Sequence, residues 1–76
     1  MPPNNETKLA QAARHVAEGN RIVAEQRAVV ARQQSRGLNT AEAEMLLSQF
    51  ERTQAIFEAD LKAAQDGQAA GANTAT

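Results

Sequence analysis

Residues 15–26 read HVAEGNRIVAEQ, setting Gly19 beside Asn20 in a run of helix formers. A turn there makes three short helices of the chain; no turn makes one long helix of its first half. Leu9, Val16, Val23 and Val30 recur at seven-residue intervals, and their phase does not slip across Gly19-Asn20. A turn would break that register. One glycine inside a helix costs only about 1 kcal/mol relative to Ala, and no proline stands beside this one. The spacing predicts a single helix from about residue 6 to 36, spanning roughly 45 Å at 1.5 Å per residue.

Downstream, the stretch SRGLNTAEAE (35–44) stops one helix and starts the next. Gly37 suits the left-handed position that follows a helix end, with Leu38 as the apolar residue folding back after it. Asn39 or Thr40 then caps a second helix, and Asn39 with Glu42 has the spacing of a capping box. Glu42 and Glu44 fall in the first turn, where the helix dipole favours negative charge. That second helix, about residues 40–65, carries the seam Ala43, Leu47, Phe50, Gln54, Phe57, Leu61 and Ala64, with Leu46 widening the face. A linker this short forces antiparallel neighbours. The fold class is all-α, an antiparallel two-helix hairpin with its turn at 37–39.

The ends are simpler. Residues 1–5 are a polar, proline-bearing lead in which Asn5 can cap a helix starting near Glu6. Residues 67–76, small and glycine-containing, are expected to form a disordered tail. Between them lies one domain, residues 6–66. The chain has no cysteine, so neither a disulfide framework nor a thiolate metal site is available. No apolar run approaches the ~20 residues that span a bilayer. A net charge of −1 gives no bulk attraction to nucleic acid or to an acidic membrane. The start shows neither the basic nor the apolar region of a secretory signal. A cytoplasmic protein is expected.

Folding the chain about Leu38 places Gly19 opposite Phe57, Ala12 opposite Ala64, Gln26 opposite Phe50 and Val29 or Val30 opposite Leu47. A ring facing a residue without a side chain interdigitates well, so Gly19 is expected to be a socket for Phe57. The alternative is a surface glycine without a role. The first helix is basic, with Lys8, Arg14, Arg21, Arg27, Arg32 and Arg36 against three glutamates. The second has six acids against Arg52 and Lys62. On a helical wheel, Val16, Val23 and Val30 form one stripe; Ile22 and Val29 form another, with His15, Gly19, Gln26 and Gln33 between. Helix two has a minor stripe of Met45, Ile56 and Ala63. Two stripes ask for two neighbours, so a homodimer, an antiparallel four-helix bundle, is expected.

Few residues suggest chemistry. His15 reads first as a packed seam histidine near Leu61 and Asp60. HVAEG also resembles the phosphoaccepting stretch of histidine phosphotransfer domains, but Glu18 stands where those domains usually carry Lys. Gln26, Gln33 and Gln54 are polar for a dry seam; they either set register, as polar core residues do in coiled coils, or sit at its wet edge. Arg14, Arg21 and Arg32 line an outer face, interrupted by Glu18 and Glu25 at i to i+4 ion-pair spacing. That face reads as solvated, and nucleic acid is not expected as a partner. With no phosphate loop, activated nucleophile or carboxylate pair at a cleft, no enzyme activity, cofactor or metal is expected.

The HVAEG…Q stretch, the stop at Gly37, NTAEAEMLLSQFERT and the following F…L, over residues 14 to 61, resemble a set of short, uncharacterised proteobacterial proteins predicted to be helical hairpins. The resemblance implies the fold and no activity. The expected function is a small non-enzymatic interaction or structural module acting by self-association or by docking on a partner protein. Its contact set is Val16, Ile22, Val23, Val29, Val30, Leu46, Leu47, Phe50, Phe57 and Leu61, with Gly19, Gly37, Asn39 and Thr40 in structural roles. The alternatives are a regulator that captures a protein, antitoxin-like or anti-sigma-like, and, more remotely, phosphotransfer through His15.

Overall fold

A computed structural model describes the backbone of residues 6–74 and the side chains of residues 6–67. Two helices, α1 (Lys8–Ser35) and α2 (Ala41–Thr74), pack against each other as an antiparallel hairpin. Its dimensions are 61 × 29 × 14 Å, a single layer of helices. α1 runs unbroken through Gly19 and Asn20, as the seven-residue phase requires.

The start of α1 differs from expectation. Thr7, in extended conformation, is the cap, and its hydroxyl accepts from the Ala10 N–H at 3.0 Å. Glu6 therefore lies before the helix rather than in its first turn, and Asn5, the expected cap, is outside the described residues. Glu6 is held instead by Arg14, whose Nε and Nη2 donate to its two carboxylate oxygens at 3.1 and 3.0 Å. A fork matched to a carboxylate in this way fixes the chain entering the helix.

At the other end of α1, Leu38 N–H donates to the Gln33 carbonyl at 2.9 Å and Gly37 N–H to that of Gln34 at 3.0 Å. This pair of bonds is the Schellman arrangement, and it needs a left-handed residue. Gly37 supplies it at φ +70°. Leu38 does not fold back into shelter; it stays 54% exposed. Asn39 Oδ1 accepts from Ala41 N–H at 2.9 Å, while the Thr40 hydroxyl donates to Glu44 Oε2 at 2.6 Å. Asn39 is thus the cap whose side chain takes a backbone N–H, while Thr40 ties its hydroxyl to Glu44 rather than to the helix backbone.

α2 is longer than expected. It continues through Gly67 to Thr74, where an unstructured tail was expected from residue 67. The segment has no proline, and its alanines offset the cost of about 1 kcal/mol that each glycine carries in a helix.

The α2 seam is as the spacing predicts. Ala43 and Gln54 are buried, and Leu47, Phe50, Phe57, Leu61 and Ala64 are half-buried. On α1 the buried residues are Ala12, Gly19, Val23 and Val30. Both of its apolar stripes meet α2, because α2 lies over the small and polar residues between them. Val16, Ile22 and Val29 are all half-buried in the hairpin alone. Two stripes on α1 therefore do not by themselves demand two neighbours. The layer is thin all the same, and no large side chain among the described residues is fully enclosed.

Candidate interaction surface

At the middle of the seam, the residue that fills the Gly19 socket is Gln54. A Cβ built on Gly19 would overlap Gln54 Oε1 and stand 2.7 Å from its Cδ, with Phe57 Cδ2 at 3.3 Å. Phe57, the expected occupant, forms only the socket's edge. Gln54 is buried, and its Nε2 donates to the Val16 carbonyl at 3.0 Å and to Asn20 Oδ1 at 2.7 Å. A backbone carbonyl can only accept, so the NH₂ end of the amide must face Val16. Oε1 is thereby turned onto Gly19, where it is buried without a partner. The Gly19-Asn20 pair has one physical explanation: glycine makes room for the amide, and asparagine binds it.

Gln26 makes the reciprocal crossing, its Nε2 donating to the Ala43 carbonyl at 2.9 Å. Each helix thus sends one glutamine into the other's backbone. Two of the three polar seam residues set register rather than resting at a wet edge. Gln33 Oε1 is buried without a partner, and nothing in the structure explains it. The network was foreshadowed by a glutamine at a central seam position. Locating it required a register about one turn away from the pairing centred on Leu38.

The two flanks of this seam differ. With about 100° per residue and Gly19 facing α2, Asn20 and Arg27 lie on one side of α1, and Ile22 and Val29 on the other. The first flank is polar. Asn20, Arg27, Glu51, Gln54 and Glu58 share one shallow cleft, and Arg27 Nη2 meets Glu51 Oε2 at 3.0 Å. The second flank carries half-buried Ile22 and Val29 from α1. From α2 it carries Leu46 at 42% exposure, while Ile56 at 60% and Met45 at 59% lie on the outer face of α2, turned away from α1. Of the ten residues expected to form a contact face, nine are buried or half-buried in the intramolecular seam; only Leu46 is exposed.

His15 lies on the apolar side, half-buried, its ring centroid 5.1 Å from that of Phe57 and inclined at 34°. It borders a groove of about 650 Å³ at the open end of the hairpin, lined also by Lys8, Ala12, Asp60 and Ala64. Asp60 is near, as expected; Phe57 is the ring it packs on. Among the described residues no cluster of metal-binding groups forms. No described helix is long and apolar enough to cross a membrane.

The outer arginines are largely paired along α1. Arg14 bridges Glu18 at 3.1 Å and Arg21 bridges Glu25 at 3.0 Å, both at the expected i to i+4 spacing. The Arg14 fork also holds the Glu6 carboxyl below the usual carboxylate range. A depressed pKa contributes stability that is present above the unfolded value and is lost as pH falls through the folded one. Changing Arg14 to Gln is expected to return Glu6 toward an ordinary titration midpoint, read from its side-chain carboxyl resonance. An unmoved midpoint would show that the fork does not hold in solution.

No family model, curated protein or solved structure matches the chain.

Proposed function

We propose that this chain is a small non-enzymatic helical interaction module of the cytoplasm, acting by placing the apolar flank of its hairpin on other helices. The observation that carries the reading is the asymmetry of the two flanks. One is closed by Asn20–Gln54 and Arg27–Glu51, while the other leaves Leu46 open and continues onto the outer face of α2, where Ile56 and Met45 are exposed. Clustered exposed apolar side chains on a small protein mark contact surfaces. A hairpin one layer thick has no other route to enclosing them.

Sedimentation equilibrium with circular dichroism over a concentration series tests the self-associating form of the reading. The apparent mass is expected to rise from 8.1 kDa toward twice that value. Leu46→Glu is expected to hold it near 8.1 kDa without loss of helicity. A fully helical monomer at every concentration overturns self-association as the mode of action.

A further inference from the structure

We draw no further inference here: the strongest candidate, the groove of about 650 Å³ at the open end of the hairpin, lined by Leu9, Ala12, His15, Asp60 and Ala64, has nothing in the structure to show what covers it.

Discussion

Gln54→Glu is expected to destabilise the hairpin by about 3 kcal/mol at neutral pH, the cost of burying a charge with no partner. The substitution keeps size and shape and removes one thing, the NH₂ group that donates to Val16 O and Asn20 Oδ1. A carboxylate there faces two acceptors. Asn20 can turn its amide round to donate; the Val16 carbonyl cannot. Arg27 lies in the same cleft and attracts the new charge, but Glu51 and Glu58 lie there as well, and Arg27 is already held by Glu51. The penalty is specific to the ionised form. Burial raises the folded pKa of such a carboxyl above its unfolded value of about 4.3, so the variant approaches wild-type stability below that pH and loses it as pH rises. Thermal melts at pH 3.5 and 7 read this directly. A deficit independent of pH would show that the side chain at 54 is not enclosed.

Gly19→Ala is expected to destabilise by about 1–2 kcal/mol, although alanine is the better helix former by about 1 kcal/mol. The new methyl group falls where Gln54 Oε1 lies. The glutamine chain is flexible enough to withdraw, but withdrawal breaks its bonds to Val16 and Asn20 and leaves buried polar groups unpaired, at roughly 1–3 kcal/mol. In a domain of this size the net loss lowers Tm by about 4–8 °C per kcal/mol. The double variant isolates the cause. With Gln54→Ala already present there is nothing left to displace, and adding Gly19→Ala is expected to be neutral or stabilising. If instead the two losses simply add, the socket belongs to Phe57, whose ring edge at 3.3 Å would then be the group that has to move.

These two predictions also show where the sequence was legible. The continuity of α1 follows from a seven-residue phase that Gly19 does not interrupt, and the α2 seam from a three-four spacing that ends at Ala64. Gly37 announces its left-handed φ because no other residue type adopts it cheaply. Each of these is decided within a few residues of chain. The start of α1 was misplaced by two residues. Two polar residues within reach, Asn5 and Thr7, are both competent caps, and the choice of Thr7 accompanies the bonding of Glu6 to Arg14, two turns away. The far end of α2 was misjudged because small residues and glycine read as a tail, while without proline they remain compatible with a helix.

What the sequence alone determined is therefore the hairpin: two helices, one turn and the residues along each seam, all written in local periodicity and capping. What only the tertiary structure decided is the register of one helix on the other, and with it the occupant of the Gly19 socket and the polar or apolar character of each flank. A shift of one turn keeps every seam residue on its seam, so periodicity cannot see it. It is settled by a few directional bonds, from Gln54 to Val16 and Asn20 and from Gln26 to Ala43, whose partners lie 17 to 38 residues apart along the chain.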